Sequence, residues 1–128
     1  MNLTIGKLAK MCQLNVETIR YYQRFGLMRV PESSQSYRYY QQQDIETLHF
    51  IQKAKDAGLQ LNEIKELLTL DLDNRRQVQH VIEQRLAKID ERIQELQALK
   101  QRLSTWLVEC KSTVDDSCPI LLALKQQD

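Results

Sequence analysis

Two short amphipathic segments near the start of the chain predict a helix-turn-helix. Thr4 is a favourable N-cap for the first helix, and Asn15 is one for the second, after a polar break. Gly26 follows the second segment, where a glycine commonly ends a helix. Apolar side chains recur every three or four positions in both segments, at Ile5, Leu8 and Met11 or Cys12, and then at Val16, Ile19, Tyr22 and Phe25.

The helical period disappears over residues 27–40, where the pattern predicts a small β-hairpin, or wing. Residues 28–30 are predicted to form its first strand and residues 37–40 its second, with a polar turn over 31–36. A two-stranded ribbon of this length is unstable alone, so we expect it to pack against the helices on either side.

Two further helices are predicted next, one opened by Asp44 and closed near Gly58, and one over residues 61–70. A polar joint at 71–74 then precedes a much longer segment. Its apolar positions recur at alternating steps of four and three, the a/d pattern of a coiled coil, at Ile82, Leu86, Ile89, Ile93, Leu96, Leu99 or Lys100, Leu103 and Leu107.

A seam this long and narrow cannot be buried against a head of about seventy residues. We therefore expect it to pair with its counterpart in a homodimer, the alternative being a helix that folds back on its own head. The predicted fold is mainly α, with a winged helix-turn-helix head over 1–70 and a long antiparallel coiled-coil dimerisation helix over 75–108. An effector-binding loop and a short C-terminal helix are predicted over 109–128.

Composition limits the classes of function. The 128 residues include 3 Gly and 2 Pro, which favours helices over sandwiches, barrels and glycine-rich phosphate loops. Neither a nucleophile elbow nor a paired-histidine zinc motif occurs, so we expect no enzyme. No apolar run reaches the length of a membrane span and no export signal is evident, so we expect a cytoplasmic protein without a membrane partner.

Charge is divided unevenly along the chain. The first 40 residues hold six basic and two acidic side chains, whereas the remainder holds twelve basic and fifteen acidic ones. A basic head predicts contact with a polyanion, here double-stranded DNA.

The second predicted helix carries the side chains that a recognition helix needs. Thr18, Arg20 and Tyr22 are expected to reach base edges and phosphates from the major groove. Beside them, three residues of the wing are expected to reach phosphates, namely Arg29, Tyr37 and Arg38. For the tyrosines of this region, the alternative is packing in the core.

A loop between the coil and Pro119 is bounded by Cys110 and Cys118. A loop of this length can fold so that both sulfurs face one soft cation. The alternatives are ordinary thiols or a redox pair. A disulfide framework is disfavoured, because the chain has three cysteines and no export signal. The third, Cys12, is expected to pack in the core.

The chain resembles the MerR family of transcription regulators through a combination of segments. These are "TIGKLAKMCQLNVETIRYYQRFGLM", the wing ending "SYRYY", the "AGLQLNEIKELL" segment, the long dimer helix and "CPI" after the loop. The resemblance implies a homodimer that binds a palindromic promoter and, with its effector, distorts the DNA so that RNA polymerase engages both promoter elements. The family's DNA contacts fall here on Arg20, Tyr22, Tyr37 and Arg38. The chain departs from the family at Ser36, usually Gly, and at Gln60, usually Ser or Thr.

The resemblance also bears on the effector. Cys110 and Cys118 match the two loop cysteines of the family's metal sensors, with the interval of the copper, silver and gold branch. The family's divalent sensors add a third thiolate at a position that falls here on Arg75. Two thiolates around a monovalent ion carry one negative charge, which an arginine can offset. These points favour Cu(I), Ag(I) or Au(I).

Three alternatives to a monovalent metal stay open at this point. His80, five residues beyond Arg75, is a candidate third ligand that would suit Zn(II), Cd(II) or Hg(II). The same scaffold could sense an oxidant, an electrophile or an organic ligand through its two thiols. In a different class, the chain would be a coiled-coil adaptor that binds protein and never touches DNA.

Overall fold

The computed structural model describes residues 3–34, 37–114 and 116–126 of the chain. Within this part the chain forms six α-helices and one two-stranded hairpin, so the predicted mainly helical fold with a helix-turn-helix and one long helix is confirmed. In chain order the elements are α1 (Ile5–Met11), α2 (Val16–Phe25), β1 (Ser33–Ser34), β2 (Tyr37–Arg38), α3 (Gln42–Asp56), α4 (Leu61–Leu68), α5 (Arg75–Ser112) and α6 (Pro119–Lys125).

Local side chains fix the ends of α1 and α2, which form the helix-turn-helix. The Thr4 hydroxyl accepts a hydrogen bond from the backbone N–H of Lys7 at 3.4 Å, and the Asn15 side chain accepts one from that of Thr18 at 2.8 Å. Gly26 ends α2 in the left-handed conformation, with φ at 93°. The three predicted cap positions are therefore confirmed.

The wing lies further along the chain than predicted. In its antiparallel ladder Ser33 is opposite Arg38 and Ser34 is opposite Tyr37. The prediction of a first strand over 28–30 is wrong, because Met28 is buried in the core and Pro31 has no N–H to donate to a ladder. The turn predicted over 31–36 is also wrong in part, because residues 33 and 34 form β1; its last two positions, 35 and 36, lie outside the described residues.

A carboxylate closes the first turn of both α3 and α4. The Asp44 carboxylate accepts the backbone N–H of Gln41 at 2.7 Å, and the Glu63 carboxylate accepts that of Gln60 at 2.8 Å. Asp44 is therefore the third residue of α3 rather than its opening residue, because it reaches back to the residue before the helix. Glu63 provides the same contact at the start of α4, where Gln60 stands in place of the family's Ser or Thr.

The hydrophobic core lies in the first of two compact units, which ends at Ile82. Tyr40 joins the end of the wing to the start of the chain by donating its backbone N–H to the Leu3 carbonyl at 2.7 Å. Cys12 is buried as predicted, and this burial raises the pKa of its thiol. The buried cluster comprises Leu3, Leu8, Ala9, Cys12, Ile19, Tyr22, Leu27, Met28, Tyr40, Ile45, Leu48, Ile51 and Ile64.

The second unit begins at Glu83 and contains most of α5 together with α6. α5 has 38 residues and continues past Val108, the predicted end of the coil, to Ser112. No Gly or Pro interrupts residues 108–112, so nothing in the sequence stops the helix there. Among the described residues, no helix is both long and apolar enough to cross a lipid bilayer.

Candidate functional site

One face of α2 is polar and exposed along the whole helix. Glu17, Arg20, Tyr21 and Arg24 lie at spacings of three, one and three residues, which places them on one side, and all four are exposed. Ile19, on the opposite side, is fully buried against the other helices of the head. The exposed side is therefore the surface that α2 can present to a groove in DNA.

Arg20, a predicted DNA contact, lies on this face. Its guanidinium is 3.1 Å from the carboxylate of Glu17, and the two side chains are 53% and 73% exposed. An ion pair this exposed contributes little to stability. A phosphate or a guanine edge can therefore replace Glu17 as the partner of Arg20 at little energetic cost.

The two other predicted contacts on α2 are placed differently. Thr18 is half-buried beside the exposed face, and its hydroxyl donates to the Asn15 side chain at 2.8 Å. Tyr22 is 3% exposed, and its hydroxyl accepts a hydrogen bond from Lys55 Nζ at 3.4 Å. The ring of Tyr22 therefore packs in the core, in contrast to the predicted contact with DNA, because residue 22 shares a helix face with Ile19.

Sequence reasoning missed Tyr21 and Arg24 as candidate contacts. Tyr21 is 46% exposed, and its ring lies 6.3 Å from those of Tyr22 and Phe25, measured between centroids. The signal was available in the helical period. With Ile19 assigned to the core, residues 17, 20, 21 and 24 must face away from it.

Arg29 is engaged within the protein. Its Nε and Nη2 atoms donate to the two carboxylate oxygens of Asp44, at 3.1 and 2.7 Å, and the Asp44 side chain is almost fully buried. The predicted phosphate contact of Arg29 therefore competes with a two-point ion pair that joins the segment after α2 to the start of α3.

The wing places Tyr37 and Arg38 on β2, paired with β1. The structure describes the backbone of these residues, and their side chains lie outside the described part of the chain. Their contacts with DNA stay predictions. Ser36, where the family usually has Gly, also lies outside the described residues.

The tail brings Cys110 and Cys118 together. Cys110 lies in the last turns of α5, and Cys118 immediately precedes Pro119, the first residue of α6. Their sulfur atoms are 3.8 Å apart, and both residues are half-buried. The two residues are eight positions apart in the sequence, so the short distance results from the fold of the intervening loop.

The two thiols differ in acidity. The backbone N–H of Leu121, at the start of α6, contributes most to lowering the pKa of Cys118. The Cys110 thiol, which donates to the Cys118 sulfur, and the backbone N–H of Ile120 lower it further, whereas partial burial opposes these effects. Donating that hydrogen bond, together with partial burial and the nearby charge of Cys118, raises the pKa of Cys110. Cys118 is therefore the first of the pair to become a thiolate.

Arg75 and His80 both lie on α5 with exposed side chains, Arg75 being its first residue. Across residues 3–34, 37–114 and 116–126, no three or more Cys, His, Asp or Glu side chains are grouped closely enough to hold a metal ion. The roles of Arg75 as charge partner and of His80 as third ligand stay predictions.

The predicted seam of α5 is exposed in a single chain. Its apolar side chains are between 37% and 60% exposed. They are Ile82, Leu86, Ile89, Ile93, Leu96, Leu99, Leu103 and Leu107. A stripe of this length on one helix is typical of a surface that another helix covers.

Comparison with known proteins identifies a similar family. A family model described as "MerR HTH family regulatory protein" matches residues 3–70, and one described as "MerR, DNA binding" matches residues 45–106. The chain is also similar to the mercuric resistance operon regulatory protein of Bacillus cereus. The two are 34% identical over 132 residues, which cover 99% of this chain and 100% of the relative.

Two solved structures are similar over almost the whole chain. The transcription regulator PbrR691 from Ralstonia metallidurans CH34, in complex with lead(II), has a TM-score of 0.80 and 28% identity, covering 95% of this chain and 98% of that one. The regulator MerR from Bacillus megaterium MB1, in complex with mercury(II), has a TM-score of 0.73 and 33% identity, covering 97% and 100%.

Proposed function

This chain belongs to the MerR family of HTH regulatory proteins, and on that premise we propose that it activates transcription when Cys110 and Cys118 bind a soft metal ion. Family membership makes the chain a DNA-binding regulator rather than an enzyme. The observation that carries the sensing half of the proposal is the 3.8 Å separation of the two sulfurs. The DNA-binding half rests on the exposed face of α2.

In the proposed complex, α2 lies in the major groove of promoter DNA. Arg20 and Arg24 donate to guanine edges or phosphates, because a guanidinium matches both acceptor patterns. Thr18, at the start of the helix, contributes a hydroxyl at the border of the same face. Tyr37 and Arg38 of the wing contact the adjacent phosphates.

Homodimerisation follows from the seam on α5. An antiparallel coiled coil with a second copy covers the exposed apolar stripe that ends near Leu107. It also places two heads on one duplex, so the operator is expected to be palindromic with half-sites spaced by whole helical turns.

The thiol pair fits a soft cation by chemistry and by distance. Metal–sulfur bonds are about 2.3 Å long for zinc, so sulfurs 3.8 Å apart can share one ion. Thiolates select soft metals, and a bound ion links the end of α5 to the start of α6. Cu(I), with Ag(I) and Au(I), is the first candidate, because the chain offers two thiolates and Arg75 where divalent sensors have a third cysteine. Arg75 of the partner subunit then offsets the remaining negative charge.

A divalent ion is the second candidate, on two observations. A linear pair of sulfur bonds of similar length would separate the sulfurs by about 4.6 Å, so the observed 3.8 Å suits a bent arrangement better. The relatives described above are named for mercury or were solved with mercury(II) or lead(II). Zn(II), Cd(II) or Hg(II) would then recruit a further ligand, for which His80 is the candidate.

Sensing reaches the promoter through the dimer helices. Fixing the 110–118 tail against the start of the partner's α5 shifts the two heads relative to each other. The shift distorts the operator so that RNA polymerase engages both promoter elements.

The decisive experiment measures metal and output in the same samples. Native mass spectrometry of the reduced dimer counts the bound Cu(I), Zn(II) or Hg(II) ions, and transcription from a bound promoter reports the response. Cys110→Ser and Cys118→Ser are expected to lose metal and response while DNA affinity stays within about twofold, since neither thiol lies in the head. Cys12→Ala is the matched control and keeps both. Metal-dependent activation by Cys110→Ser would refute the assignment.

A second function, sensing of an oxidant, is favoured by the same 3.8 Å contact. Hydrogen peroxide can oxidise the pair to a disulfide: each thiol loses one proton and one electron, and the peroxide is reduced to two waters. Loss of free thiols together with a changed transcriptional output, in protein that binds no metal when reduced, would favour this version.

A further inference from the structure

The C-terminal end of α2 is held by a side chain from α4. Lys65 Nζ donates to the backbone carbonyl of Phe25, the last residue of α2, at 3.2 Å. The same ammonium lies 5.8 Å from the centroid of the Phe25 ring. Forty positions separate the two residues in sequence, so this contact links distant parts of the head.

The C-terminal end of a helix is a favourable place for an ammonium group. The last carbonyl groups of a helix have no partner within the helix, and the helix dipole places partial negative charge there. The Lys65 ammonium donates to one of these carbonyl groups, and its positive charge interacts favourably with the dipole. Gly26 leaves the space for it, since a Cβ at residue 26 would lie 2.8 Å from Lys65 Nζ.

Phe25, the residue that Lys65 contacts, lies against the exposed face of α2. The Phe25 ring lies 6.3 Å from that of Tyr21, tilted by 33°. Arg24 immediately precedes Phe25 in the last turn. Lys65 thus fixes the turn that carries Arg24 and, through the Phe25 ring, supports Tyr21.

We propose that Lys65 is a positioning residue for DNA recognition: it fixes the last turn of α2 and thereby the placement of Arg24 and Tyr21 in the groove. The proposal rests on the DNA-binding function proposed above. It differs from a direct role of Lys65 in binding phosphate, because the ammonium is already engaged by Phe25.

The two roles make opposite predictions for specificity and for salt dependence. A lost phosphate contact weakens binding to every duplex and lowers the salt slope by about one. A misplaced recognition helix weakens binding to the preferred duplex alone and leaves the salt slope unchanged, because the number of phosphate contacts stays the same.

The test uses a duplex selected by the wild-type dimer from a random library and a scrambled duplex of the same composition. Lys65→Met keeps the apolar stem and removes the donor, Lys65→Arg restores it, and Lys53→Met removes a charge from the exposed surface of α3 as a control. Phe25→Leu removes the ring independently. Affinity is measured over a series of salt concentrations, and thermal unfolding confirms that each variant folds.

Lys65→Met and Phe25→Leu are expected to lose about five- to tenfold in affinity for the selected duplex while binding to the scrambled duplex stays within about twofold. Lys65→Arg is expected to restore most of the loss. Unchanged selectivity in both variants, or equal losses on both duplexes with a reduced slope, would overturn the proposal. A wild-type dimer without preference between duplexes would instead refute sequence-specific DNA recognition, the part of the proposed function on which this proposal rests.

Discussion

Arg29 neutralises the carboxylate of Asp44, a side chain almost entirely shielded from water at the first turn of α3. The same carboxylate accepts the backbone N–H of Gln41. The guanidinium of Arg29 therefore neutralises a buried carboxylate and joins the segment after α2 to the start of α3. An arginine that looks, in the sequence, like part of a basic DNA-binding surface has a structural partner 15 positions later.

Replacing Arg29 by Ala is expected to destabilise the head by about 2 kcal/mol. This is less than for a fully buried pair, because the Arg29 side chain is 38% exposed and Gln41 still donates to Asp44. Arg29→Lys should lose less, since it keeps the charge but not the two-point geometry. Urea unfolding measures the change.

Arg92→Ala is the control for that loss. Arg92 pairs with Glu95 at 3.1 Å on the exposed surface of α5, and its removal should leave stability nearly unchanged. If Arg29→Ala were as stable as Arg92→Ala and lost DNA affinity, Arg29 would be a phosphate contact, as the sequence alone indicated.

The exposed face of α2 makes a second prediction. Arg20→Ala and Arg24→Ala are each expected to weaken binding to the selected duplex by about tenfold or more, because each removes a donor to a base or a phosphate. Tyr22→Phe removes a hydroxyl that contacts Lys55 in the head and should leave DNA affinity within about twofold. Fluorescence anisotropy with labelled duplex reports all three. A loss in Tyr22→Phe as large as in Arg20→Ala, with folding intact, would contradict this assignment.

Local signals in the sequence predicted the ends of the first helices well. Thr4, Asn15 and Gly26 act within one turn of their own position, so their roles can be read without knowledge of the fold. The apolar periodicity predicted the helix-turn-helix and the long helix, and these are confirmed.

Features that depend on distant contacts were not predictable in the same way. The strand expected over 28–30 is replaced by core packing of Met28, and Asp44 is a long-range partner of Arg29. The exposure of Tyr21 and the burial of Tyr22 are different, because the helical period could have predicted both: 100° of rotation separates the two rings, and residue 22 shares the face of Ile19. The pairing of Lys65 with Phe25 spans 40 positions and leaves no local signal.

The acidity of the thiols gives a third prediction. Because the pKa of Cys118 is lowered and that of Cys110 is raised, Cys118 carries the larger thiolate fraction at any pH below both values. Iodoacetamide should therefore modify Cys118 first in metal-free protein, with a rate that rises at lower pH than that of Cys110. Cys12 should react slowest, because it is buried with a raised pKa.

Mass spectrometry can follow the sites separately, since trypsin cleaves after Lys111, between the two cysteines. Equal rates and pH midpoints for Cys110 and Cys118 would show that the start of α6 does not act on the sulfur of Cys118.

The seam on α5 gives a fourth prediction. Leu99→Asp places a carboxylate in the proposed dimer interface of each copy, and the dimer dissociation constant should rise on the order of 100-fold. Gln101→Asp introduces the same charge on the opposite side of the helix and should leave the dimer intact. Sedimentation velocity over a concentration series distinguishes them. A wild-type monomer, or a Leu99→Asp dimer as tight as Gln101→Asp, would exclude this interface.

The central claim joins two ends of the chain: metal bound by the thiols of the tail changes the DNA held by the head. Energy transfer between fluorophores at the two ends of the selected duplex, measured on the protein–DNA complex during titration with Cu(I), tests it directly. The signal is predicted to change until the thiol pairs are filled and to stay flat in Cys118→Ser, which still binds the duplex. A signal that responds equally in Cys118→Ser, or that no soft ion changes in the wild-type complex, would contradict the account.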